Sequence, residues 1–213
     1  MFTLADRLLR RFRSDKPIVI VSGLPRSGTS MMMRMLEDGG IEPLTDGTRR
    51  ADQDNPNGYY ELEIVKTLDK GGETWWLADA KGKAVKVISF LLTWLPETYN
   101  YQVIFMERNL DEIIASQNKM LVHRDHEDDV GGDERTRISY QRHLEHTMRF
   151  MAARRCFSTL TVSYNEVMQQ PLPAASRITE FLGREMNVDA MAAVVDRGLY
   201  RNRVAPASVD RRP

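Results

Sequence analysis

The chain has 213 residues, 42% of them hydrophobic, and its 30 Lys plus Arg balance 30 Asp plus Glu to a formal net charge of zero. At about 150 residues per domain this is one domain, 1–213, with enough chain for a full core and too much apolar content for disorder. The neutral total argues against a coat for nucleic acid or anionic membrane, no apolar run reaches the roughly 18 residues of a transmembrane span, and the one cysteine, Cys156, excludes an intrachain disulfide and suits a reducing, cytoplasmic setting.

In chain order, Leu4, Leu8, Leu9 and Phe12 share a helical face, so 1–16 reads as an amphipathic helix lying on the domain. The β-branched run 17–22 reads as a strand buried on both faces, as in a parallel sheet. A glycine-bearing loop follows, then a helix over 29–38 stopped by Gly39 and Gly40. Residues 45–60 are a polar loop, 61–69 and 75–79 read as helical, and 84–89 is a short apolar strand. A helical connection over 90–95 ends at Pro96, and 102–106 is a second core strand. Asn109 caps the next helix, with Asp111 and Glu112 in its first turn, where negative charge meets the positive end of the dipole. Residues 122–134 form an acidic loop suited to a lid, 135–155 a long helix with Tyr140, Leu144, Met148 and Met151 on its stripe, 159–163 a strand, and 174–182 a helix closed by Gly183. Strands alternating with helices imply right-handed crossovers and a central parallel sheet flanked by helices, whose ligands bind beyond the carboxyl ends of the strands.

The loop after the first strand reads Gly23-Leu24-Pro25-Arg26-Ser27-Gly28-Thr29-Ser30, the G-x-x-x-x-G spacing of a phosphate-binding loop between strand and helix. Such a loop converges backbone N–H groups and a helix N-terminus on an anion. Its fold class is therefore α/β, a three-layer P-loop-NTPase-like arrangement. A nucleotide-hydrolysing loop places Lys after the last glycine to reach the β- and γ-phosphates. Here that residue is Thr29, and the loop's one cation is Arg26.

From Pro25 to Ser30 the chain resembles the 5′-phosphosulfate loop of the sulfotransferases that use 3′-phosphoadenosine 5′-phosphosulfate (PAPS). A second segment resembles that family's 3′-phosphate motif: a strand ending in Arg108, then Asn109-Leu110-Asp111, then Ser116 eight residues after the arginine. A third, Val162-Ser163-Tyr164 followed by Pro171, resembles its strand–Tyr–helix–Pro segment, and a fourth, Asn55-Pro56-Asn57-Gly58-Tyr59-Tyr60-Glu61, a stretch common in bacterial members. The resemblance implies a sulfuryl transfer from PAPS to a small-molecule, glycan or lipid acceptor through a hydroxyl or amine, with 3′,5′-ADP as product and no metal. It implies that Pro25, Arg26, Ser27, Gly28, Thr29 and Ser30 hold the 5′ end of the donor, that Arg108 and Ser116 bind the 3′-phosphate, and that Tyr164 contacts the adenosine. It also places Lys86, on the predicted strand over 84–89, near the leaving group; a lysine on an apolar strand is costly unless an anion meets it.

The pattern departs from the family in three places. The cytosolic eukaryotic members carry a base histidine two residues after the strand lysine, and Ile88 stands there. Glu61 is the best remaining candidate for the base, with His123 and His126 beside the acidic loop as outside choices. Met31 stands where relatives place a Trp for the adenine, and the C-terminal cofactor loop is absent, with Arg201 and Arg203 as substitutes. Trp75 and Trp76 are core residues or walls of an acceptor site. A P-loop phosphotransferase needing Mg²⁺ and a non-catalytic nucleotide-binding module remain as alternatives, and assembly as a homodimer is left open. No nucleic acid partner and no transmembrane segment are expected.

Overall fold

A computed structural model of the chain describes residues 16–48, 58–122 and 133–196. Four parallel strands, β1 Ile18–Gly23, β2 Ala84–Lys86, β3 Tyr101–Glu107 and β4 Phe157–Ser163, lie in the order β2-β1-β3-β4. The helices are α1 Thr29–Asp38, α2 Trp76–Asp79, α3 Leu110–Val122, α4 Asp133–Ala152, α5 Tyr164–Gln169, α6 Pro171–Leu182 and α7 Val188–Ala193, with 3₁₀ helices at Glu63–Lys70 and Ser89–Trp94.

The alternation of side chains along each strand builds two cores. Val19 and Val21 of β1 and Ile104 and Met106 of β3 face one layer, with Met32, Met35 and Leu36 of α1, Ile178 of α6 and Met191 of α7. Ile18 and Ile20 of β1 and Val103 and Phe105 of β3 face the other, with Trp76, Leu91, Leu92 and Met151. Every residue of β1 is buried, as a β-branched run between two helical layers requires. Each such Ile or Val contributes about 1.5–3 kcal/mol relative to remaining exposed. The central parallel sheet flanked by helices is the expected fold class.

Several boundaries differ from the sequence reading. β2 stops at Lys86; Val87 still donates its N–H to the Val21 carbonyl at 3.0 Å, but Ser89 already opens a 3₁₀ helix. The segment read as a helix over 61–69 is a 3₁₀ helix from Glu63, whose N–H is taken by Asp46 Oδ2 at 2.6 Å, and Glu61 precedes it. Asp133 and Glu134, read as loop, form the first turn of α4, and that helix ends at Ala152. α7 was not anticipated; the Asn187 side chain caps it by accepting from the Ala190 N–H at 3.0 Å. Residues 1–15 of the expected N-terminal helix, 123–132 of the acidic lid with His123 and His126, 55–57 of the fourth motif, and Arg201 and Arg203 lie outside the described residues. Among the described residues, no helix is long and apolar enough to cross a membrane.

Candidate active site

Strand register assembles the site. Val21 pairs with Lys86 on one side and Ile104 on the other, Gly23 pairs with Met106, and Glu107 pairs with Ser163. The loop after β1, Lys86 at the end of β2, Arg108 after β3 and Tyr164 after β4 therefore leave the sheet at one edge. The chain runs from β1 to β2 on one side and crosses to β3 on the other, so this edge is a topological switch point.

The loop itself is tightly folded. A Cβ on Gly23 would lie 2.4 Å from Ser27 Oγ and 2.6 Å from the Met106 carbonyl oxygen. Gly28, at φ 99°, begins α1 without a side-chain cap, and a Cβ there would lie 2.4 Å from Tyr164 Cδ2. Arg26 adopts φ 76°, a left-handed conformation that costs a non-glycine residue about 1–2 kcal/mol. Ser22 and Ser27 are fully buried, and their hydroxyl oxygens have no hydrogen-bond partner among the described residues. Buried orphan hydroxyls beside an uncapped helix start, with no acidic residue in its first turn, fit an anion.

The two basic motifs, far apart in sequence, meet here. Arg26 donates through Nε to Ser116 Oγ at 3.0 Å. Arg108 donates through Nη1 to the strained Arg26 carbonyl at 3.2 Å, and its guanidinium lies 4.4 Å from the centre of the Tyr164 ring. Its Nε is held by Glu112 Oε2 at 2.9 Å, with the two side chains only 8% and 2% exposed. Tyr164 is buried between Gly28 and Arg108, and that burial raises the pKa of its phenol, with Arg108 acting in the opposite sense. Arg26, Ser27, Gly28, Thr29, Arg108, Ser116 and Tyr164 thus form one cluster. Pro25 joins it through its carbonyl, which accepts from Gln117 Nε2 at 3.0 Å.

Lys86 adjoins this cluster through α1. Its Nζ donates to Ser30 Oγ at 3.2 Å and to the Tyr59 carbonyl at 2.7 Å. The turn that presents this carbonyl has Tyr60 at φ 52°. The Tyr60 hydroxyl donates to Glu37 Oε2 at 2.5 Å, and burial, then Glu37, pushes its pKa up to about 12. Glu61 lies just beyond, with Oε2 2.8 Å from Lys66 Nζ. Trp76 is core, whereas Trp75 is 60% exposed, and Met31 packs at the edge of the α1 core.

Three partners escaped sequence reasoning. Glu112 was read as a helix-start acid, although its spacing of four from Arg108 signals a pair. Tyr140, read as core, donates its hydroxyl to Gln117 Oε1 at 2.8 Å and so steadies the loop through Gln117. His143 had no role in the reading; it reaches Ser89 across 54 residues of sequence, a contact that no local pattern announces.

No family model matches the chain, and no curated protein matches it by sequence. Solved structures do. The sulfotransferase domain of the olefin synthase from Synechococcus PCC 7002 superposes with a TM-score of 0.53 at 14% identity, covering 92% of each chain. A sulfotransferase from Mycobacterium tuberculosis H37Rv superposes with a TM-score of 0.53 at 18% identity, covering 90% of this chain and 75% of that one. At these identities the likeness establishes the fold: this chain has a sulfotransferase-like α/β fold.

Proposed function

We propose that the chain is a sulfotransferase that moves a sulfuryl group from PAPS to a hydroxyl or amine acceptor. The observation that carries this reading is the contact of Arg26, in the loop after β1, with Ser116, in the helix after β3, beside Arg108. Two anion motifs from separate strands share one basin, as a donor with phosphates at two positions would need. Thr29 in place of a lysine weighs against triphosphate chemistry.

In this reading the loop from Pro25 to Ser30 takes the 5′ end of the donor, and the Ser27 hydroxyl finds its partner there. Arg108 and Ser116 face the 3′-phosphate, with Tyr164 as the wall beside the nucleoside. Lys86, already held at Ser30, neutralises charge on the oxygen that bridges sulfur and phosphorus as it leaves. Sulfuryl transfer is loose and in-line, so positioning and charge neutralisation are the protein's main contributions. Glu61 is the carboxylate on the Lys86 side, and its ion pair with Lys66 fixes it at the rim.

Isothermal titration calorimetry tests the donor assignment directly. The product 3′,5′-ADP is expected to bind at least tenfold more tightly than AMP, since charge-assisted hydrogen bonds to the added phosphate contribute about 1.5–3 kcal/mol. Equal affinities for the two nucleotides would remove the basis for the reading.

A further inference from the structure

Between Lys86 and α4 sits a group that the reading so far leaves unused. Ser89, three residues past Lys86, is fully buried, and its Oγ lies 2.9 Å from Nε2 of His143 on α4. Thr147, one turn further along α4 and also fully buried, places Oγ1 3.4 Å from the same nitrogen. Phe90, next to Ser89, stacks on the imidazole with ring centroids 3.9 Å apart and planes 13° apart. The ring is therefore fixed by two hydroxyls at one nitrogen and by an aromatic face. Its other nitrogen, Nδ1, has no hydrogen-bond partner among the described residues.

The surroundings place this imidazole at the active end of the sheet. Tyr140 lies three residues before His143 on α4, the spacing of neighbours on one helix face. It reaches Gln117, which holds the Pro25 carbonyl of the anion loop. Phe90 touches both rings, with its centroid 6.3 Å from that of Tyr140. His143 is thus bracketed by the anion loop through Tyr140 and by Lys86 through the short segment leading to Ser89. Ile88, within that segment, cannot take a proton.

We propose that His143 is the proton acceptor for the incoming nucleophile, with Ser89 and Thr147 holding its Nε2–H so that Nδ1 carries the lone pair. The proposal rests on the sulfotransferase reading. In the step, the acceptor O–H bond breaks and its proton passes to Nδ1. The acceptor oxygen forms a bond to sulfur, the bond from sulfur to the 5′-phosphate oxygen breaks, and its electron pair leaves on 3′,5′-ADP. The resulting imidazolium keeps its Nε2–H directed at the two hydroxyl oxygens. Burial, followed by the nearby His146, lowers the imidazole pKa, which keeps the ring neutral and receptive near neutral pH.

The test compares His143→Gln, Glu61→Gln and wild type with PAPS and two probe acceptors: phenol, and 4-nitrophenol, which is largely ionised at slightly alkaline pH without help. His143→Gln is expected to slow phenol turnover by about 100- to 10,000-fold, to slow 4-nitrophenol turnover less than tenfold, and to leave 3′,5′-ADP affinity unchanged. Equal losses on the two phenols, or no loss on either, would overturn the proposal, as would the selective loss appearing in Glu61→Gln instead. Wild type that binds 3′,5′-ADP but turns over neither phenol overturns the proposal and leaves the donor site standing. Wild type that does not discriminate 3′,5′-ADP from AMP overturns the sulfotransferase reading itself. Nitrogen-15 NMR of the imidazole gives a readout independent of turnover: the proton is expected on Nε2, and a neutral ring protonated on Nδ1 refutes the assignment.

Discussion

Arg108 carries a structural load that can be measured without any substrate. Its Nε holds Glu112 at 2.9 Å, and Glu112 is only 2% exposed. Removing the guanidinium takes away the counter-charge 2.9 Å from a buried carboxylate, a change that costs up to about 3–5 kcal/mol. The lost bond to the Arg26 carbonyl adds roughly 1 kcal/mol, and the lost stacking on Tyr164 about as much. These terms overlap, so Arg108→Met is expected to lower stability by about 4 kcal/mol, a large share of the roughly 5–15 kcal/mol typical of a domain. The double variant Arg108→Met with Glu112→Leu removes both charges and their desolvation cost, and is expected within about 2 kcal/mol of wild type. Urea unfolding followed by tryptophan fluorescence reads these differences, provided the denaturant slope is unchanged. A loss below about 1 kcal/mol in the single variant, or a double variant as unstable as the two single losses added, would show that the pair is not the buried couple its geometry describes.

Two further outcomes follow from the geometry. Gly28→Ala combines a left-handed backbone with a Cβ driven to 2.4 Å from the Tyr164 ring, and should cost about 2–4 kcal/mol in the same unfolding assay; a loss under about 0.5 kcal/mol would mean that the loop yields easily. His143 has a folded-state pKa below its unfolded value, because burial and then His146 disfavour the charged ring. The unfolded chain therefore takes up the proton first, and stability falls as pH drops from the unfolded imidazole value, about 6.5, to the folded one. The urea midpoint of wild type should thus fall relative to that of His143→Gln between about pH 7.5 and about pH 5.5, and a constant difference would refute the shift.

Much of the fold around the candidate site was legible because local chemistry dictates it. A β-branched run that ends in glycine and leads into a helix over 29–38 has few alternatives, and β1, the loop and α1 follow from it. Asn109 marked the start of α3, and its side chain does accept from the Asp111 N–H at 2.8 Å. The segment Glu63–Lys70 was harder, since its apolar residues Ile64, Val65 and Leu68 suit a 3₁₀ helix or an α-helix equally over two turns. Its start is fixed by Asp46, seventeen residues upstream, which takes the Glu63 N–H. The meeting of His143 with Ser89, and of Arg26 with Ser116, likewise depends on which strands are neighbours. Periodicity does not encode strand order, and the resemblance to a known family marks Arg26 and Ser116 as parts of two motifs but not as a contact.

That contact also changes what a net charge of zero means. Around the basin stand Arg26, Arg108 and Lys86, and the buried carboxylate of Glu112 bonds to Arg108. The Arg108–Glu112 pair is close to neutral as a unit and holds a planar donor in place. Arg26 and Lys86 bring two further cations to the same edge of the sheet. A bisphosphate brings about −1.5 to −2 per phosphate group, more than two cations neutralise. Under the proposed function, dipoles that no charge count includes would add to them: the N–H groups of the loop, the uncapped start of α1 and the buried hydroxyls of Ser22 and Ser27. A site built this way draws on fixed backbone geometry as much as on side-chain charge. It can therefore sit in a protein whose acidic and basic residues cancel, and under the proposed function its selectivity for phosphate placement would come from where the two strands end.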